Sequence, residues 1–459
     1  MKKISIAIVL VAALSLLSLT KASAQSFRSG YFLDNYVYGY RLNPAQIGPR
    51  SFFALGLGSI DLQNNLNIGM GSLLFPTENG MVTGFNKAVS AEQFLSGIQN
   101  GVRLSLDEDI NILSFGIAKE NRMSTFEINL RTRVGLALPR DLFAFLKVGG
   151  DQPYDISGLG VNAEVIADVA YGFAHTVGDN LTIGGRLHFL AGVADVKAYT
   201  ANSSITMGST AELNTEIHLE TSGIASIGID NEGNIDPNSL ELNGDYVGGY
   251  GGGLDLGIEY EPFDGFTLTA SVTDFGVLFR KNTTNLAASS KVTYKGADIT
   301  YQEDGSVKAD FDQVLEELRQ AIVFKEVDGE AQRVDVLPFN ASVGLRYKMP
   351  FFEPLSVGAL GTWHFDTIAP WYEARGGITF TPWRLISISA NAGYGSIGGP
   401  VCGGALDLHL GPLNILAGFD TFLGEIGLIK DVPIPPYNGI PIPLHGFDLN
   451  AHVGIALTF

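Results

Sequence analysis

Seven histidines, His175, His188, His218, His364, His409, His445 and His452, are the residues best suited to acid–base or metal chemistry, and they lie singly along the chain. None stands in a His-Glu-x-x-His arrangement, and no Gly-x-Ser-x-Gly elbow or Walker loop occurs. Cys402 is the only cysteine, which removes disulfides and thiolate metal centres, since those need two to four thiolates. Asp230 to Asn238 has the oxygen ligands of a calcium loop, but its glycine, Gly233, is in the fourth position, and no bidentate Glu closes it. A turn in an acidic hairpin is the better reading. No catalytic residue, cofactor or metal site is assigned. A barrel enzyme would need a His near Asp or Glu and Ser on one rim, which linear motifs do not display.

The remaining charged residues fall into a pattern. Glu127, Arg131, Arg133, Glu164, Asp168, Arg186, Asp255 and Glu259 all sit one position out of phase with apolar neighbours. From Phe126 to Leu136 the even positions carry Phe126, Ile128, Leu130, Val134 and Leu136, while Glu127, Asn129, Arg131 and Arg133 take the odd ones. From Leu159 to Phe173 every odd position is apolar, and Asn162, Glu164 and Asp168 lie opposite. Period two is the repeat of a strand with one apolar and one polar face. These segments run to 10 or more residues, which suits tilted strands that cross the hydrocarbon of a bilayer with about 9 to 11 residues. An Arg or Lys turned to lipid near the midplane costs roughly 2–4 kcal/mol. The eight charged residues are therefore assigned to a lumen, with His188 and His409 beside Arg186 and Asp407 in the same polar network.

Strands are placed near 50–68, 109–119, 122–136, 158–177, 180–195, 246–260, 264–280, 338–349, 354–366, 371–380, 384–396, 402–411, 413–423 and 447–459. The fold class is all-β: a transmembrane antiparallel β-barrel of about 14 strands, with 12 or 16 as alternatives because Val196 to Thr221 can extend strands past the membrane. Connections alternate between short turns and long loops at 69–108, 137–157, 196–245, 281–337 and 424–446. Short helices are expected in the long loops, over Pro139 to Lys147 and Phe311 to Val323. The prolines from Pro433 to Pro443 keep that stretch out of a central sheet. Trp363, Trp371, Tyr372 and Trp383, with the amino-terminal aromatics Tyr31, Phe32, Tyr36, Tyr38 and Tyr40, are candidates for interfacial girdles.

The ends of the chain have separate meanings. Residues 1–24 read as a signal peptide: Lys2 and Lys3, an apolar run from Ile4 to Leu19, and small residues before a cleavage point after Ala24. Residues 25–49 then form an amino-terminal plug, and residues 50–459 the barrel. At the far end Leu449, Ala451, Val453, Ile455, Leu457 and Phe459 alternate with polar or small residues, and the aromatic is terminal. They resemble the signal read by the outer-membrane barrel assembly machinery. The chain has 48 acids against 29 bases, a net charge of −19, which argues against nucleic acid as a partner.

Asn43, Pro44 and Ala45 in the amino-terminal segment carry a family resemblance. The sequence resembles the long-chain fatty acid transporter superfamily of Gram-negative outer-membrane barrels. Within that neighbourhood it is similar to an uncharacterised family of exported barrels, through the Tyr31-to-Pro49 opening and the Leu138-to-Leu146 loop. The resemblance implies fourteen strands, an amino-terminal hatch containing Asn43 and Pro44, and a non-enzymatic channel or transporter for a small, hydrophobic compound. Outer-membrane lipid, lipopolysaccharide, the assembly machinery and a small hydrophobic ligand are the partners this implies. The alternative is a non-transporting barrel whose loops 196–245 and 281–337 form a docking platform at the surface or in secretion.

Overall fold

The computed structural model describes residues 27–459 apart from 57, 78–79, 208–210, 230–246, 295–298, 302–306, 310–322, 328–331, 367–369, 398, 423–425, 435–436 and 444–446. The signal peptide, the Asp230-to-Asn238 turn and nearly all of the Phe311-to-Val323 helix lie outside the described residues. Fourteen antiparallel strands close into a barrel. In chain order they are β1 (Phe52–Leu55 and Ser59–Leu66), β2 (Val102–Lys119), β3 (Arg122–Leu138), β4 (Gly160–Val177), β5 (Leu181–Met207), β6 (Gly249–Phe263) and β7 (Phe266–Tyr294). The second half comprises β8 (Gln332–Val336 and Phe339–Lys348), β9 (Leu355–Phe365), β10 (Trp371–Trp383), β11 (Ile386–Gly395), β12 (Gly399–Leu410), β13 (Leu413–Phe422) and β14 (Phe447–Thr458). β14 pairs with β1 through Phe52 opposite Thr458 and Phe53 opposite Leu457, and the Phe459 N–H donates to the Ser51 carbonyl at 3.0 Å. Closure satisfies the backbone of both edge strands, which an open sheet in lipid cannot do.

One rim carries only tight turns. Those after β4, β6 and β12 contain Gly178, Gly265 and Gly411 at φ of 68°, 77° and 68°, a left-handed conformation that favours glycine. At the other rim most of the connections are long. β5 and β7 outrun the barrel there, and the strand Ala211–Gly223 inserts between them as the middle of a three-stranded sheet. That sheet is the extension expected for Val196 to Thr221. A helix at Arg140–Val148 ends at Gly149, φ 62°, within the predicted loop. A shorter helix, Ala91–Ser96, has its Gln93 N–H capped by Ser90 Oγ at 3.0 Å. The two pack around Phe94, Phe145 and Tyr154. Ile426–Ile434 pairs only with Tyr437–Pro443, so the proline-rich stretch forms its own hairpin outside the barrel sheet.

The two faces separate as period two requires. Outward lie Leu187, Phe189, Phe173, Ile378 and Trp383, and inward lie Asp61, Gln63, Asn111, Asn129, Thr362 and Asn391. No helix among the described residues is long and apolar enough to cross a membrane. Val453, Ile455, Leu457 and Phe459 are exposed on the outside of β14, while Asn450, His452 and Thr458 are buried within. Leu449 and Ala451 are half-buried in the outward phase.

Trp371 departs from the girdle expectation. It is only 4% exposed, turned into the lumen and stacked on His364 at 5.2 Å. Its position in β10 puts it in phase with Glu373 and Arg375, the polar face, so its phase overrides its type. Tyr31, Phe32, Tyr36, Tyr38 and Tyr40 are likewise buried inside rather than placed at an interface. β2 begins seven residues earlier than the expected 109, because the run Asp107, Glu108, Asp109 hides its alternation. A bulge at Ile112, between Asn111 and Leu113, then shifts its phase.

Candidate functional site

Residues 27–49 lie inside the barrel. Phe27, Leu33, Tyr36, Tyr38 and Tyr40 form an apolar cluster there with Phe52 and Met123. The wall receives this segment through inward-facing glycines, because a strand without a side chain leaves room for another backbone. Gly184 and Gly257 pair across β5 and β6. A Cβ at either would overlap the Asn43-Pro44-Ala45 turn, with Pro44 Cδ only 2.8 Å from the Gly257 position. Asn43 shapes that turn: its Oδ1 accepts the Ala45 N–H at 3.0 Å, and its Nδ2 donates to the Ile258 carbonyl at 3.0 Å. Phe32 is seated in the same way against Gly377, and Phe27 against Gly418.

Charge completes the attachment. Arg41 donates from Nε to Glu127 Oε1 at 2.8 Å and from Nη2 to Asn129 at 3.0 Å, and the Tyr40 hydroxyl donates to the same Glu127 oxygen at 2.6 Å. Burial holds the phenols of Tyr36, Tyr38 and Tyr40 well above their ordinary range, so they remain donors. Burial opposes the Arg41 charge, but Glu127, Asp109 and Asp61 outweigh it and raise the guanidinium's pKa. Near the start of the segment Arg28 meets Glu373 at 2.9 Å and lies 4.6 Å over the Trp371 ring. Ser29 Oγ donates to Asp420 at 2.5 Å, and Arg375 joins Glu373 (2.6 Å) to Asp420 (2.9 Å).

Of the eight charged residues assigned to the lumen, five form one chain of contacts. Arg186 bridges Glu127 and Asp255, the latter at 2.8 Å. His188 sits between Asp255 (3.1 Å) and Asp168 (3.0 Å), and Arg131 links Asp168 (2.7 Å) to Asp274 (2.9 Å). The other three stand apart. Arg133 pairs with Asp107 at 2.6 Å, Glu164 pairs with Arg280, and Glu259 lies 3.9 Å from Arg346 near the short-turn rim. His409 is 3.1 Å from Asp407, a contact within the wall. Among the described residues no group of three His, Cys, Asp or Glu side chains could hold a metal ion.

Sequence reasoning missed Arg28, Arg41, Asp61, Asp107, Arg280, Glu373, Arg375 and Asp420. For those on strands the available signal was phase: each occupies the polar face of its strand, as Glu127 does. Arg28 and Arg41 lie on the non-strand segment, where no period marks the direction of a side chain.

The segment divides the lumen. On its long-loop side is a chamber floored by Phe27, Tyr36, Arg41 and Leu42 and walled by Asp107, Asp109, Arg131, Arg133 and Glu164. On its short-turn side is a second opening between Asp34 and Asn35 of the segment and Glu261, Arg346 and Glu353 of the wall.

Fold and site together define a transmembrane β-barrel with its amino-terminal segment folded into the lumen. The model of the family described as a family of unknown function, DUF5723, matches residues 44–420, and the chain belongs to that family. No curated protein matches its sequence. Among solved structures, it is similar to the Pseudomonas putida toluene transporter TodX, at 10% identity and TM-score 0.47, covering 96% of this chain and 99% of that one. The Ralstonia pickettii toluene transporter TbuX aligns at 10% identity and TM-score 0.46, covering 93% and 94% of the two chains. A Pseudomonas aeruginosa FadL homologue aligns at 12% identity and TM-score 0.40, covering 94% and 95%.

Proposed function

We propose that this protein is an outer-membrane channel, without enzymatic activity, that passes a small compound around or past an amino-terminal plug formed by residues 25–49. The observation that carries the reading is the position of that segment between two separate openings, a chamber toward the long loops and a space at the short turns. In this orientation the short turns and both chain ends face the periplasm and the long loops face outward. Removal of residues 1–24 by signal peptidase precedes assembly, and the outward face of β14 is read by the barrel assembly machinery. Lipid and the inner part of lipopolysaccharide cover the apolar belt. The resemblance to fatty acid transporters supports transport, and a hydrophobic cargo belongs to the same reading.

Efflux of a small radiolabelled sugar from proteoliposomes tests the channel. Protein lacking Gln25 to Pro49 should leak the sugar severalfold faster than the full mature chain. Equal retention by both, with folding verified, would contradict it.

A second reading has one observation in its favour: the stiff sheet formed by β5, Ala211–Gly223 and β7 beyond the barrel. It is braced by Arg333, which contacts Asp195 and Glu220, each at 2.6 Å. This sheet suits a docking platform for an exported or surface partner. Deleting it would abolish partner capture while leaving the barrel folded.

A further inference from the structure

The walls of the long-loop chamber are unlike a pocket for an uncharged hydrocarbon. Seven carboxylate residues and four arginines line it. Every one of those arginines is already engaged by protein carboxylates: Arg41 by Glu127, Arg131 by Asp168 and Asp274, Arg133 by Asp107, and Arg186 by Asp255. An incoming anion would have to displace one of these buried pairs and leave a carboxylate unmatched, a strongly unfavourable exchange. A neutral apolar molecule would strip water from the walls and offer no hydrogen bonds in return.

The carboxylates, by contrast, are incompletely matched. Asp109 has Arg41 and Arg131 as neighbouring charges, Arg131 at 3.8 Å, yet its Oδ1 is buried with no hydrogen-bond partner among the described residues. The acids outnumber the bases in an enclosure of low dielectric, which focuses a negative potential on the space they surround. Apart from Asn129 and Thr132 the remaining lining is apolar: Phe27, Tyr36 and Leu42 form the floor, and Ile166, Leu337 and Pro338 form one side. Ile166 and Leu337 belong to a buried cluster with Leu190 and Leu278, so this side is fixed by packing.

We propose that the chamber is a binding site for a small organic cation, an amine or guanidine with an apolar body, whose charged end is taken by Asp109. The apolar body lies against Leu42 and Leu337, and the charged nitrogens supply the donors that Asp109 Oδ1 lacks. This deepens the channel reading, on which its place in transport rests, by naming the class of cargo. Binding itself does not depend on passage.

Three probes with the same ring and different charge test the site: benzylammonium, benzoate and toluene, each titrated calorimetrically into the full mature protein folded in detergent. Benzylammonium should bind at least about tenfold more tightly than either of the others, a difference of about 1.4 kcal/mol. That preference should weaken with added salt. Asp109→Asn should reduce benzylammonium affinity about tenfold and leave toluene unchanged. Should that variant not fold, the ranking of the three probes on the unaltered protein decides. Equal or tighter binding of benzoate or toluene would overturn the proposal, as would the absence of saturable benzylammonium binding. Saturable, charge-selective binding by a protein whose truncated form never conducts would uphold the site and count against the channel reading alone.

Discussion

At the scale of single residues, the lumen is held by charges whose worth lies in being matched. Arg375 is fully buried and meets Glu373, Asp420 and Asn391 at 2.6, 2.9 and 2.9 Å. Replacing it with Leu would leave Glu373 and Asp420 to share Arg28, at 2.9 and 3.9 Å, and removing one partner of a buried pair typically costs about 3–5 kcal/mol. Arg375→Leu should therefore lower the denaturation midpoint of the detergent-folded barrel by far more than Tyr40→Phe. The latter removes one hydrogen bond to a charged acceptor, worth about 1.5–3 kcal/mol. Unfolding in guanidinium followed by tryptophan fluorescence gives the order directly, and a reversed order would show that the Arg375 cluster relaxes without cost. The polar-phase residues on clean strands, such as Glu127 and Asp255, could be read as inward from sequence alone. Their partners could not, because pairing depends on which strands are neighbours and on the amino-terminal segment. Arg41, the partner of Glu127, comes from that segment.

At the scale of elements, alternation made the strands legible and bulges made them hard to bound. β4 and β14 alternate without interruption in the sequence and were located to within a few residues. β2 and β8 were not. A bulge at Ile112 and the break at Leu337–Pro338 reverse the phase midway, and a one-residue shift moves every later side chain to the other face. The seat of the amino-terminal segment was hidden for a different reason. A glycine on the polar phase carries no mark of what approaches it, so Gly184 and Gly257 gave no sign that they adjoin Asn43 and Pro44. Gly257→Val tests that contact, since its side chain would occupy the space of Asn43 Oδ1 and Pro44 Cδ. The barrel wall has no need of glycine there, as β6 is extended at that position. The variant should assemble normally yet release the segment, raising its sensitivity to protease added from the periplasmic side. A segment as protected as in the parent protein would mean that the glycine pair does not position it.

At the scale of the whole molecule, closure joins the two ends of the sheet. Phe459 is 77% exposed on the outer face, yet its N–H completes the seam by donating to Ser51. Deleting Phe459 should reduce the heat-modifiable folded fraction in the outer membrane severalfold, with little effect on the lumen of molecules that do assemble. Undiminished assembly would remove the recognition role assigned to that strand. The barrel also explains the composition. Apolar residues are spread over strands instead of gathered in spans, glycines line the path of the segment, and the acids that give the chain its charge of −19 include those facing inward. The central claim is that residues 25–49 close a conduit. Single-channel conductance in planar bilayers, with the full mature chain beside a truncation lacking Gln25 to Pro49, tests it most directly. The account predicts a nearly silent full-length protein and stable openings from the truncation; silence from both, with folding confirmed, would contradict it.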